Sequence, residues 1–220
     1  MGDSKRLTRG RGRTISKKSG HFGEVMGKGR SVDSATTKGS IRRAVVEAMQ
    51  RKDITDITIT ELCSACGIAR STFYRYYDSV DDVVKKTGDE LLASIRRASA
   101  LDRYDGTHGI ADGPRQSDLA RAQVLKEYGP FICAVTGFHG DPSFAFKAVG
   151  LMRELWLESN HDDWIHRPYG DFMLEFFLAG TFRMIDHWLR SHPEMSAEEF
   201  YGLQVEIYKK LVQVATGGGK

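Results

Sequence analysis

Residues 70–77 read Arg-Ser-Thr-Phe-Tyr-Arg-Tyr-Tyr. Arg70, Ser71, Thr72, Tyr74, Arg75 and Tyr76 surround one apolar anchor, Phe73, and no carboxylate interrupts them. Guanidinium forks, hydroxyls and aromatic rings at helical spacing suit a helix laid against phosphates and base edges. Arg70 and Arg75 are the candidates to fork onto guanine O6 and N7. Thr72 is placed to reach a phosphate or a base edge, and Tyr74 and Tyr76 a phosphate or a thymine methyl. Phe73 and Tyr77 are expected to pack inward. Three tyrosines cannot all face one small core, so at least one of Tyr74 and Tyr76 should be exposed.

Such a helix needs a scaffold, and the residues before it supply one. Thr58 and Glu61 form the T-x-x-E signature of a helix start. Leu62, Cys63 and Cys66 give that helix its apolar side. Gly67 can take the positive φ of a tight turn. Two short helices joined by a turn with glycine make a helix-turn-helix. Upstream, Ile41, Ala44, Val45, Ala48 and Met49 fall at i, i+3, i+4, i+7 and i+8, one stripe of a helix over residues 37–52. Arg42 and Arg43 lie off the stripe, either in solvent or against a phosphate. Thr58 and Arg42 therefore join the candidate contacts.

The run Gly67-Ile68-Ala69-Arg70-Ser71-Thr72-Phe73-Tyr74-Arg75-Tyr76-Tyr77 resembles the recognition element of TetR/AcrR-type transcriptional regulators. Residues 58–62 are similar to that family's helix 2, and residues 78–92 to the start of its helix 4. The resemblance covers residues 37–100. Two positions depart from it. Ala69 stands where serine is commoner, and residues 78–82, Asp-Ser-Val-Asp-Asp, make an acidic corner where many members carry a phosphate-binding lysine.

Charge is distributed unevenly. Residues 1–38 hold ten Lys/Arg and three Asp/Glu, leaving 22 basic against 26 acidic residues in the rest. Attraction to a polyanion is thus concentrated in the first segment and on the recognition helix. Residues 1–36 are rich in Gly, Ser, Lys and Arg and read as a disordered extension. Within them Arg9, Arg11 and Arg13 alternate with glycine, as in an arm that enters a minor groove, or else form a solvated tail. No apolar run is long enough to span a membrane, and no apolar signal segment follows the N-terminal cations, so a cytoplasmic protein is expected. Cys63 and Cys66, at i and i+3 of one helix, are expected as small core residues. They lack the βαβ context of a redox pair and the second ligand pair of a zinc site. The histidines form no H-x-x-x-H pair. No metal or catalytic group is assigned, and no motif of an enzyme class is present.

Beyond residue 78 the period stays helical, so the class is all-α: a three-helix DNA-binding head at 37–82, then a helical ligand-binding and dimerisation body at 83–216, with 217–220 as a tail. Ser79 caps a long connector helix to residue 100, and 101–116 form a loop. Ser117 is read as the cap of a helix to 128. Pro130 starts a short helix to 136, and Asp141-Pro142 opens one to 159. Residues 169–191 and 197–215 form the last two. Tyr128, Phe131, Phe138, Phe144, Phe146, Trp156 and Trp164 line either a ligand cavity or an ordinary core. The ligand candidates are Tyr128, Phe131, Phe138, Trp156 and Phe177, for an unidentified small-molecule effector; no resident cofactor is expected. In the resembled family the last two helices pair with their copies. That implies a homodimer through Phe176, Gly180, Trp188, Leu203 and Ile207, with double-stranded DNA as the other partner. The resemblance implies a ligand-responsive repressor. An activator and a low-specificity architectural protein remain the alternatives.

Overall fold

The computed structural model describes residues 37–102, 115–159 and 168–215. Every regular element among them is helical. In chain order they are α1 Thr37–Met49, a single 3-10 turn at Ile54–Asp56, α2 Ile59–Cys66, α3 Arg70–Tyr74 and α4 Val80–Ser99. Then follow α5 Gln116–Glu127, α6 Gly129–Val135, α7 Pro142–Ser159, α8 Gly170–Ser191 and α9 Ala197–Ala215. The all-α class is therefore observed.

Local chemistry sets most of these boundaries. Thr58 Oγ1 accepts the Glu61 N–H at 3.3 Å, and the Glu61 carboxylate accepts the Thr58 N–H at 3.3 Å. The reciprocal pair satisfies two otherwise orphaned donors at the start of α2. Gly67 closes α2 at φ 64°, ψ 34°, a left-handed conformation that a Cβ would strain. Ser79 Oγ accepts the Asp82 N–H at 3.0 Å and starts α4. Ser196 and Glu199 repeat the capping box before α9, at 3.1 and 2.7 Å. The Asp141 carboxylate accepts the Ser143 N–H at 2.8 Å, with Pro142 in the first turn of α7.

Three expectations are corrected. α3 stops at Tyr74 rather than Tyr77: the Tyr76 N–H turns to the Phe73 carbonyl at 2.9 Å, the tightened i→i−3 bond that closes a helix end. Ser117 does not cap α5. It is buried, and its N–H donates to Asp102 at 2.6 Å, while the Asp118 carboxylate accepts the Arg115 N–H at 3.0 Å. A charged acceptor in the first turn also meets the positive end of the helix dipole. α1 ends at Met49, and Lys52 instead donates to the Asp56 carbonyl at 2.9 Å and the Glu61 carboxylate at 2.7 Å.

One core runs from Ile41, Val45 and Met49 of α1, past Leu62 and Phe73, along Val83, Val84, Leu91 and Ile95 of α4, to Phe131, Phe144 and Leu151 of α6 and α7. α4 approaches α7 closely at Gly88. A Cβ there would lie 3.2 Å from a ring carbon of Phe144, whose ring meets Phe131 edge-on at 5.7 Å. A second cluster stacks Trp188 of α8 on Phe200 of α9, with centroids 4.2 Å apart and planes 6° from parallel. α8 is held to α6 by a buried carboxylate. Asp186 is 3% exposed and accepts from Thr136 at 2.8 Å, Arg183 at 3.0 Å and Arg190 at 2.9 Å. Arg190 also donates to the Cys133 carbonyl at 2.6 Å. Among the described residues no helix is long and apolar enough to cross a membrane.

Asp186→Ala removes the acceptor that Thr136 and Arg190 share. Both arginines keep some solvent, so the expected loss is about 1–3 kcal/mol. Thermal unfolding should show a drop in Tm of about 2–4 °C per kcal/mol for a chain of this size.

Candidate functional site

α3 is fixed from its inner side. Phe73 and Tyr77 are both 0% exposed, and their rings lie 6.1 Å apart. What remains outward is the polar set that the sequence suggested. Arg70, Ser71, Tyr74 and Arg75 are exposed, Tyr74 by 48%, and Thr72 and Tyr76 are half-buried. Arg70 and Tyr74 are hydrogen-bonded one helical turn apart, which raises the guanidinium above its already high range. Arg75 lies over the Tyr76 ring at 5.8 Å. Lys86 of α4 donates to the Tyr76 carbonyl at 3.3 Å and pairs with Asp82 at 2.7 Å. The acidic corner is thereby drawn into capping α4: Asp82 also accepts the Asp78 N–H at 3.0 Å. Thr58 is exposed at the head of α2, next to this surface in sequence.

Arg42 is the correction. It is 7% exposed and faces inward, its Nε donating to the Tyr77 hydroxyl at 3.2 Å and its Nη2 bonded to Glu90 of α4. Its stem replaces an apolar side chain beside the stripe, and its charge is met within the fold. Arg43 is exposed on the same helix. Burial pushes the Tyr77 phenol up, so the hydroxyl is neutral and accepts from Arg42. Burial would also raise Glu90, but hydrogen bonds from Arg42 and Lys38 outweigh it and hold the carboxyl below its usual range. Cys63 is buried, and burial pushes the half-buried Cys66 thiol up; both are free. Arg11, with Arg9 and Arg13, lies outside the described residues.

A cavity of about 380 Å³ lies among α4, α5, α6, α7, α8 and α9. Its apolar wall includes Leu91, Ile95, Phe144, Leu151, Trp156 and Phe182. Trp156 and Phe177 line it as expected of ligand candidates; Tyr128, Phe131 and Phe138 do not. Phe131 is spent on the Gly88 contact, Tyr128 closes α5 against the core, and Phe138, in the turn after α6, is 96% exposed. Phe144 of the wider aromatic set lines the cavity, Phe146 is 80% exposed, and Trp164 lies outside the described residues.

The cavity's charged groups were not anticipated. Asp118 is 4% exposed and accepts from the Arg115 N–H, from Arg115 Nε at 3.4 Å, from Arg121 and from the Tyr201 hydroxyl at 2.8 Å. Burial opposes its ionisation, yet Arg121 and these donors hold it below the usual carboxylate range. Desolvation lowers Arg121 and raises Tyr201. The signal was present: Asp118, Arg121 and Leu125 share one helical face of α5, and Tyr201, Gln204 and Tyr208 one face of α9. Polar residues on an otherwise inward stripe are the mark of a polar interior.

Of the dimer candidates, Phe176 is 65% and Leu203 47% exposed, Gly180 is exposed with open space at its Cβ position, and Ile207 is half-buried. Trp188 is corrected. Its ring is 2% exposed and committed to Phe200, with Nε1 donating to the Met195 carbonyl at 3.2 Å. Phe172, 70% exposed, lies one turn from Phe176 on α8.

The Glu90 contact makes the seating of α3 sensitive to acid. A carboxyl depressed in the folded state adds stability above its unfolded value of about 4.3 and loses it as pH falls through the folded value. Glu90→Gln should lower Tm at neutral pH and flatten the loss of Tm on acidification below about pH 5, read by circular dichroism against the unmodified protein.

No protein-family model and no curated protein matches the sequence. Solved structures do match the fold. The dihydroxyacetone kinase operon activator DhaS is 16% identical, with a TM-score of 0.51 over 82% of this chain and 98% of that one. The fatty acid degradation regulator FadR from Bacillus halodurans is 11% identical, with a TM-score of 0.53 over 78% of this chain and 93% of that one. A TetR transcriptional regulator from Streptococcus agalactiae is 17% identical, with a TM-score of 0.47 over 78% and 92%. At these identities the likeness to DhaS and FadR speaks for the fold alone, an all-helical one.

Proposed function

We propose that this chain is a sequence-specific DNA-binding transcriptional regulator, acting as a two-fold dimer and released from its operator by a small molecule held in the body. The single observation that carries the reading is the outward face of α3. Arg70, Ser71, Tyr74 and Arg75 project from a helix whose other side is locked by Phe73 and Tyr77. A five-residue helix held this rigidly is short enough to present its whole outer face to one groove. The resemblance of residues 67–77 to the TetR/AcrR recognition element supports the same reading. Two half-sites need two copies of α3, and the exposed apolar face of Phe172, Phe176 and Gly180 with Leu203 suits the pairing of α8 and α9 with their copies.

Coupling follows from α4. Its first turn continues from the residues after α3, and its Leu91, Leu92 and Ile95 line the cavity. A ligand that tilts α4 changes the distance between the two α3 helices and favours the state that cannot span both half-sites. Activation in place of repression is the second reading; the similar DhaS is an operon activator. A reporter driven by the selected operator, with and without the chain, decides between them.

Selection of duplexes from a random pool should return a palindrome. Against its single-base variants, Arg70→Ala or Arg75→Ala should relax choice at one position per half-site by about 1–3 kcal/mol, roughly five-fold to over a hundred-fold. Binding that ignores sequence across a salt series would identify an architectural protein instead. Gly180→Arg adds a long cation where the protomer has open space, so the protomer should fold while the dimer separates, as read by light scattering at micromolar concentration. An unmodified protein that is monomeric there would exclude the dimer.

A further inference from the structure

We infer that the cavity takes an amphipathic monoanion, an apolar body ending in one carboxylate, and that Arg121 is the group that grips the carboxylate. The inference rests on the reading of the cavity as an effector site and adds the chemical class of its ligand. The described lining residues bring two guanidiniums, Arg115 and Arg121, and one carboxylate, Asp118, to a wall that is otherwise largely apolar. Asp118 is saturated: its two oxygens accept from Arg115 twice, from Arg121 and from Tyr201. Among the described residues Arg121 donates to Asp118 and, at 3.4 Å, to Ser99, which uses two of the five N–H groups a guanidinium carries. A planar fork with donors to spare matches a carboxylate in bidentate geometry.

The rest of the wall excludes the alternatives. A cation would meet the Arg121 guanidinium, a cavity-lining positive charge, in a low-dielectric space. A neutral ligand would leave the guanidinium's remaining donors desolvated without an acceptor. A dianion would bring a second charge that the single Arg121 fork does not match, and the apolar face of Leu151, Trp156 and Phe182 could not solvate it. The volume, about 380 Å³, lies at the small end of ligand sites, which run from about 300 to 1,000 Å³. Gln204 and Tyr208, hydrogen-bonded at 3.0 Å, and Thr181 beside Tyr208 give a separate polar spot on the same wall. They suit a hydroxyl or keto group on the ligand body.

The test is calorimetric titration of the full chain with decanoate, naphthoate, decanol and decylamine. Decanoate or naphthoate should bind about tenfold or more tightly than the alcohol and the amine. Arg121→Lys, which keeps the charge and loses the fork, should reduce that preference several-fold, and Arg121→Gln should abolish it in a protein that circular dichroism shows to be folded. Decanol binding as well as decanoate, or no probe binding at all, overturns the inference, and this comparison needs no variant. A carboxylate preference that survives both substitutions overturns the role of Arg121. Operator binding is measured separately. Carboxylate binding by a chain that selects no operator sinks the regulator reading alone, whereas operator binding without carboxylate preference sinks the ligand class alone.

Discussion

The arrangement depends on one buried cation. Arg42 reaches from α1 to the Tyr77 hydroxyl, just past α3, and to Glu90 in the middle of α4. α3 has five residues and no side-chain cap, far below the length at which a helix persists by itself. Its orientation is therefore tertiary. Phe73 and Tyr77 supply the apolar grip, and Arg42 sets the angle between the three elements that meet there. Without a partner a buried guanidinium is costly, so the fold is committed to keeping Tyr77 and Glu90 in place. The outward face of α3 inherits its precision from that commitment.

Local signals made much of the fold legible. The capping boxes at Thr58 and Ser196, the cap at Ser79, the glycine turn at 67 and the Asp141-Pro142 start all act within a few residues, and each appears where the spacing puts it. Phe73 and Tyr77 pack inward as expected, and the shortage of room for three tyrosines leaves Tyr74 exposed. What could not be read locally was partnership at long range. Arg42 looked like a surface cation because its acceptors lie 35 and 48 residues away. Trp188 looked like an interface anchor because its stacking partner, Phe200, belongs to the next helix. Phe138 looked like a cavity wall until the turn after α6 set it facing outward.

The cavity illustrates the same limit from the other side. Aromatic content pointed to it, yet its character comes from Asp118 and Arg121, placed one turn apart on α5. Periodicity marks only which face a residue occupies. Whether a charged residue on an inward face is a mistake in phase or part of a polar interior depends on the helix opposite, here α9 with Tyr201.

The contact at Gly88 has a consequence for how the molecule comes apart. Because α4 can lie this close to Phe144 and Phe131, the apolar interior has no seam between the residues that hold α3 and those that surround the cavity. A motif recognised in sequence as a self-contained reader is thus not a folding unit of its own. Excised at the end of α3 it would leave Ile41, Val45 and Phe73 without the neighbours that cover them. Loosening anywhere along α4 is felt at both ends, so the protein is built to melt, and to respond, as a single cooperative body.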